Sequence, residues 1–267
     1  ESLEIGLIGA VKYNQPELPE MLASMQKLID GGKYNREESG AIGLLCYLPE
    51  IPKTNTQFGW PRTGTLDFAR YFLQRNGTDP KTGLMVGVQG ATYNHNHCNG
   101  MAMELYGLGE VMGIDAGTGA NYEHPMHRNY YSQWAAHNTV VAAGSSSSVP
   151  FSGAAGTKQI GQIELAAMEP MPDEEAISEY YSFTDTRYFD NSTKTNQLRT
   201  LAIVRTSPSS GYYVDIYRSD NAVSNDYVYH NMGDKLILTD KNRKELNTVS
   251  TKYPLTGEDY PGFRFYS

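Results

Sequence analysis

Cysteine is scarce: the 267-residue chain has only Cys46 and Cys98. They allow one disulfide at most, and nothing in the sequence argues for that pairing. Positive charge is also in short supply. Lys and Arg number 22 against 30 Asp and Glu, a formal charge of −8, which argues against a nucleic-acid partner. An acidic polysaccharide is not excluded, because a site can be locally positive on an acidic protein. No apolar run is long enough to cross a membrane, and no signal peptide is visible. The chain opens at Glu1 rather than Met and stops at Tyr266-Ser267. It reads as a fragment or a processed mature segment, so a missing leader says nothing about compartment. No internal repeat is seen.

Tyrosine and glycine are plentiful, at 20 and 26 residues. Together they favour strands and turns over helices, and tyrosine-rich surfaces often stack on sugars. Hydrophobic content of 39% with 19% charged residues is ordinary for a globular protein. Residues 17–31 keep a helical period through Leu18, Met21, Leu22, Met25, Leu28 and Ile29, and Gly31-Gly32 stop it. A second short helix is expected over 39–47, followed by a connector punctuated by Pro49, Pro52 and Pro61.

From about residue 60 the period changes to two. Strands are expected over 66–73, 84–92, 101–106 and 111–115, with a hairpin turn at Gly107-Leu108-Gly109. More are expected near 139–143, 159–168, 177–189, 198–205, 212–218 and 227–231. Short strands without interspersed helices imply a mainly β chain built as a large antiparallel sandwich. The expected division is a helical segment and connector over 1–58, then a β-sandwich over 59–267.

The chemistry concentrates in Tyr93-Asn94-His95-Asn96-His97-Cys98, with Asp115 and His137 downstream. In an extended strand, side chains two apart share a face, so His95 and His97 would lie side by side. Asp115 ends a short apolar run, and His137 stands at the mouth of another. Imidazoles and a carboxylate from three adjacent strands suit zinc or a similar divalent ion. A hydrogen-bonded polar group inside a sheet is the plain alternative. The same strand would point Cys98 away from His97, as a small buried residue. His124 and His127 are expected at the surface, and His230 in the core. Arg199, Arg205 and Arg218 are expected to cover sheet faces.

The order and spacing of several pieces carry a resemblance. They are Tyr93-Asn94-His95-Asn96-His97, Leu105-Tyr106-Gly107 with Gly109-Glu110, Asp115-Ala116-Gly117, Tyr122, and Ala136-His137-Asn138-Thr139-Val140. Together they resemble the C-terminal β-domain of heparinase II/III-type polysaccharide lyases, a group that includes related alginate lyases. The likeness is close across about 90–145 and looser from about 60 to the end. The two N-terminal helices would then be the tail of an α/α-toroid domain.

The resemblance implies β-elimination on a uronate-containing acidic polysaccharide, and a secreted or periplasmic enzyme. It implies one structural zinc per chain, held by His97, Asp115 and His137. Asn94 and His95 would face the uronate carboxylate, where negative charge builds in the transition state, and Tyr122 would reach the cleft for proton transfer. Tyr130 and Tyr131 are competitors for that place. The main proton-transferring Tyr and His of the family come from the helical domain, so a partner domain, in cis or as a separate chain, is expected to complete the site. Two other classes stand beside this one: a non-catalytic carbohydrate-binding sandwich with a structural metal, and a cupin-like metalloenzyme. A cupin needs Glu three or four residues after its second His, and the first Glu after His97 is Glu104.

Overall fold

A computed structural model describes residues 2–13, 18–38, 40–52, 61–77, 79, 81–90, 97–115, 121–142, 162–191, 193–222, 225–233 and 235–248. The chain divides into two compact units, Glu1–Trp60 and Pro61–Ser267.

The first unit is helical: α1 Ser2–Tyr13, α2 Leu18–Asp30 and α3 Gly40–Leu45. Leu7, Leu22 and Met25 form its core, with Val11, Leu18 and Ile29 packed against them. α2 stops where the sequence predicts, at a glycine in left-handed conformation (Gly32, φ 64°). The Gly32 amide donates to Ile29 O at 3.0 Å and the Lys33 amide to Leu28 O at 2.8 Å, which satisfies two end carbonyls. α1 was not expected, because its apolar residues are interrupted by Gly6 and Gly9 and spread around the helix. Glu4 on α1 is fully buried. Arg36 grips it with two hydrogen bonds of 2.7 and 2.9 Å and donates a third, of 2.7 Å, to Leu48 O.

The second unit is a sandwich. One sheet runs in order through β1 Thr63–Leu66, β2 Tyr71–Asn76, β3 Leu84–Gln89, β4 Ala102–Gly107 and β5 Glu110–Gly113, every neighbour antiparallel. A two-residue strand, β6 Val140–Val141, follows. The second sheet is built from β7 Glu164–Glu169, β8 Tyr181–Asp190, β9 Thr195–Ser207 and β10 Ser210–Ser219, in the order β10-β9-β8-β7. β11 Asp226–Tyr227 pairs with β6.

Phe72, Val86, Val88 and Leu105 of the first sheet share one core with Met168, Leu201 and Ile203 of the second. Gln74 bridges the two sheets through that core. Its amide donates to Thr184 Oγ1 at 3.0 Å and Leu201 O at 2.9 Å, and its oxygen accepts from Ser182 Oγ at 2.8 Å. Buried polar groups of this kind stay only when each is satisfied.

Several expectations are corrected in detail. The span 66–73 is two strands, because Asp67–Ala69 form a 3-10 turn and Arg70 takes a left-handed φ of 47°. That reversal lets Leu66 pair with Tyr71. The turn after β4 is a two-residue hairpin, Leu108-Gly109, with both φ positive at 56° and 88°, the twist that suits paired strands. The strand expected over 227–231 is only β11. Arg199 and Arg205 do not cover a face; both are buried. Along β9 every second residue from Thr195 to Arg205 points inward, so the register itself carries both arginines into the interior. Arg199 pairs with Asp215 through bonds of 3.0 and 2.7 Å and donates to the carbonyls of Met101 and Asn138. Cys46 and Cys98 are not joined in a disulfide.

Candidate functional site

The candidate site forms where chain segments leave the first sheet. His97 follows a stretch, 91–96, that lies outside the described residues, so Asn94 and His95 lie there too, and with them the expected side-by-side placement of His95 and His97. His97 itself is not in a strand. The Cys98 amide donates to Ser132 O at 3.0 Å, and the Ser132 amide donates to His127 O at 2.9 Å. Those two bonds tie the His97 segment to the π-helical turn His127–Tyr131, a local geometry often found at functional sites. Asp115 lies two residues beyond β5, and His137 directly follows the 3-10 turn Trp134–Ala136. The three candidate ligands therefore come from strand ends and loops, not from adjacent strands.

Asn138 holds this arrangement. Its amide donates to Met103 O at 3.2 Å and Ile114 O at 3.0 Å, and its oxygen accepts from the backbone amide of His230 at 2.6 Å. It thus joins the neighbours of Asp115, of His137 and of His230 through one fully buried side chain. The Thr139 hydroxyl adds a bond of 2.7 Å to Gly100 O. His230, expected in the core, is half-buried and hydrogen-bonded to Asn138 and to the Tyr130 hydroxyl at 3.2 Å.

Both oxygens of Asp115 stand at Nδ1 of His137, at 3.0 and 2.9 Å, and Gln89 Nε2 donates to the same carboxylate at 3.0 Å. A carboxylate there fixes the tautomer with the proton on Nδ1 and leaves Nε2 as the lone-pair nitrogen. That Nε2 is buried without a hydrogen-bond partner, and so are Nε2 of His97 and Nδ1 of His127. The His97 ring centre lies 5.3 Å from that of His137 and 5.4 Å from that of His127. Burial first, and then the neighbouring His137 and His127, push the His97 pKa down to about 4, against a smaller opposite pull from Asp115. His97 is therefore neutral near pH 7, the form that binds metal.

Among the described residues no group of three or more His, Cys, Asp or Glu stands ready-made to hold a metal ion. His97 Nε2 and His137 Nε2 are two buried nitrogen donors without a partner, of the kind zinc takes, while Asp115 is turned to His137 Nδ1. Two imidazoles bound at about 2.0–2.1 Å to one tetrahedral zinc put their ring centres about 5 Å apart, which is the spacing His97 keeps with each neighbour.

Tyr122 sits beside this group. It is 48% exposed, and its ring meets that of His127 edge-on at 4.9 Å. Asn121 caps the loop by accepting from the amides of Glu123 and His124 at 3.0 and 2.8 Å. His124 is exposed as expected, whereas His127, expected at the surface, is buried. Tyr130 and Tyr131 pack on each other, ring centres 5.2 Å apart.

Sequence reasoning also missed Gln89 and Glu104. Glu104 is half-buried on β4, and burial, then Asp115, raise its pKa. The only sequence signal for Gln89 is its place in the alternation of β3, opposite to Val86 and Val88.

The heparinase II/III-like C-terminal domain family matches residues 81–204. The chain is similar to an endo-acting ulvan lyase of Formosa agariphila, 34% identical over 257 residues, which make up 90% of this chain and 31% of that protein. Among solved structures, a heparinase III gene product with methylated lysines overlaps 69% of this chain and 26% of its own, at 13% identity and a TM-score of 0.47.

Proposed function

We propose, for a chain whose residues 81–204 match the heparinase II/III-like C-terminal domain family, that it is the β-sandwich portion of an enzyme cleaving a uronate-containing acidic polysaccharide by β-elimination. The supporting observation is the buried meeting of His97, Asp115 and His137 beside the exposed Tyr122, within the matched residues. One zinc per chain, held by these three residues, is part of the proposal, and it requires the Asp115 carboxylate to leave His137 Nδ1. When bound it supplies a cross-link between three loop segments, which is a structural role.

The proton chemistry falls to side chains. Elimination removes the weakly acidic proton at C5, breaks the bond to O4 and leaves a double bond between C4 and C5. Amide and imidazole donors from Asn94 and His95 would stabilise the charge that builds on the uronate carboxylate. The Tyr122 hydroxyl, on a loop braced by Asn121 and by the His127 ring, would exchange a proton with the substrate. A helical domain preceding these residues, in cis or as a separate chain, would supply the remaining acid or base. The Formosa relative extends far beyond the part matched here, in keeping with such an addition. Its name puts ulvan first among substrates to try, and action on such a polymer implies a secreted or periplasmic enzyme.

The test is incubation of the full-length protein with ulvan, alginate and heparan-type polymers, following ultraviolet absorbance of the unsaturated product. Growth of that absorbance on at least one polymer is expected. Binding to the polymers with no turnover on any of them would replace this account with a carbohydrate-binding module.

A further inference from the structure

On the second sheet a cavity of about 600 Å³ opens among residues that the proposal above does not use. That volume is in the range of small-ligand sites. Arg187 and Phe189 line it from β8, and Asn196 and Gln197 from β9. Side chains two apart on a strand share a face, and Arg187 and Phe189 are both exposed, Phe189 by 42%. Tyr188 also lines the cavity, and its ring lies against Gly100, where an added Cβ would come to 3.0 Å. The Ile163 amide, between the lining residues Gln162 and Glu164, donates to Gly90 O at 3.1 Å. Gly90 directly follows β3 and Gly100 stands three residues past His97. The cavity therefore borders the end of the sandwich that carries the His97 segment.

Arg187 is uncommitted. Arg62, Arg70, Arg75, Arg199 and Arg205 each donate to a partner. Among the described residues Arg187 makes no hydrogen bond or ion pair, even with Glu164, its Cα partner on β7. Gln197, by contrast, is 3% exposed and fixed. Its oxygen accepts from the Tyr217 hydroxyl at 2.7 Å, which leaves its amide nitrogen to donate. A guanidinium takes a carboxylate or sulfate, an exposed ring takes the apolar face of a sugar, and amides take hydroxyls. Glu164 adds an acceptor for hydroxyls. We infer that this cavity is a separate subsite for an acidic sugar, with Arg187 on its anionic group and Phe189 against its ring. The inference rests on the lyase reading for the identity of the polymer and goes beyond it by adding a place that binds without doing chemistry. On a chain of formal charge −8, an unpaired arginine in a cavity is a locally positive place of the kind such a polymer needs.

The experiment measures binding of full-length protein to immobilised ulvan, alginate and a heparan-type polymer, in the cold and at two salt concentrations, with turnover followed separately. Arg187→Gln should weaken binding to the tightest-bound polymer by about 10-fold at low salt, and by less at high salt, where screening already weakens that contact. Phe189→Ala should weaken it by about 5-fold at both. Arg243→Gln, which removes the same charge from an exposed turn, should leave it unchanged. Equal Tm across the variants separates a lost contact from a lost fold. Chemical desulfation of a sulfated polymer identifies the anion: dependence on Arg187 that survives belongs to the carboxylate, dependence that vanishes belongs to the sulfate, and either upholds the inference. Unchanged affinity in Arg187→Gln or in Phe189→Ala, or an equal loss in Arg243→Gln, overturns it and leaves the lyase reading standing. Weakened binding by both variants of a protein that cleaves none of the polymers upholds the subsite and overturns the lyase reading. Wild type that binds none of the three overturns both.

Discussion

Replacing Arg199 with Met should be felt far from residue 199 itself. The guanidinium is buried and makes two bonds to Asp215, while its third nitrogen reaches the carbonyls of Met101 and Asn138. Methionine keeps much of the volume and removes the charge. The Asp215 side chain, 16% exposed, is then left with the Tyr227 hydroxyl at 2.7 Å. Removing one partner of a buried pair costs about 3–5 kcal/mol. The Met101 carbonyl adds about 1 kcal/mol. Asn138 O loses less, because it also accepts from the Met103 amide at 3.0 Å. A total of about 4–6 kcal/mol in a unit of this size lowers Tm by about 10–20 °C. Because Asn138 also fixes Ile114 and His230, zinc affinity should fall along with stability. Thermal unfolding with and without zinc measures both effects. The double variant Arg199→Met/Asp215→Leu should recover part of the loss, since neither charge is then stranded. A Tm for Arg199→Met within about 3 °C of wild type would refute the argument that this pair braces the site.

Further outcomes are expected. In the full-length enzyme, His95→Ala should lose activity while keeping zinc and Tm, whereas His97→Ala should lose zinc and much of the stability that binding contributes; equal zinc loss in both would contradict that division. Tyr122→Phe should lower kcat by about 10²–10⁴-fold with zinc content unchanged, and wild-type turnover would move the proton transfer to another residue. Arg36 holds the Glu4 carboxyl below its ordinary value of 4.5. A depressed carboxylate stabilises the fold above its unfolded pKa, and this contribution is lost as pH falls through the folded pKa. The helical unit should therefore lose stability in acid below about pH 4.5, and Glu4→Gln should flatten that dependence in circular-dichroism melts. Identical acid limbs in the two proteins would remove the pair from the account.

The two-sheet core was legible in the sequence because alternation has a period of two and the chain keeps it from β2 to β10. Alternation does not say which set of residues faces inward, and that is why Arg199 and Arg205 were assigned to the wrong side. Their inward direction follows from partners distant in sequence, such as Asp215, Asn76 and Thr82. His97, Asp115 and His137 stood out through their spacing and their places at the ends of apolar runs. His127 did not, because the π-helical turn that buries it has no sequence period, and the loop before it is polar and exposed. α1 was missed for a related reason. Its buried Glu4 is held by Arg36, a contact that spans 32 positions, and its Leu7 packs against Leu22 and Met25 of α2.

The central claim is that the whole protein breaks a uronate glycosidic bond by elimination. Mass spectrometry of the fragments released from ulvan by full-length protein tests it most directly. Elimination leaves one fragment of each pair with a double bond, so the pair together weighs the same as the parent chain. Hydrolysis adds the mass of one water to each bond cut. Unsaturated fragments without added water are the predicted result, and saturated fragments carrying that water would contradict it.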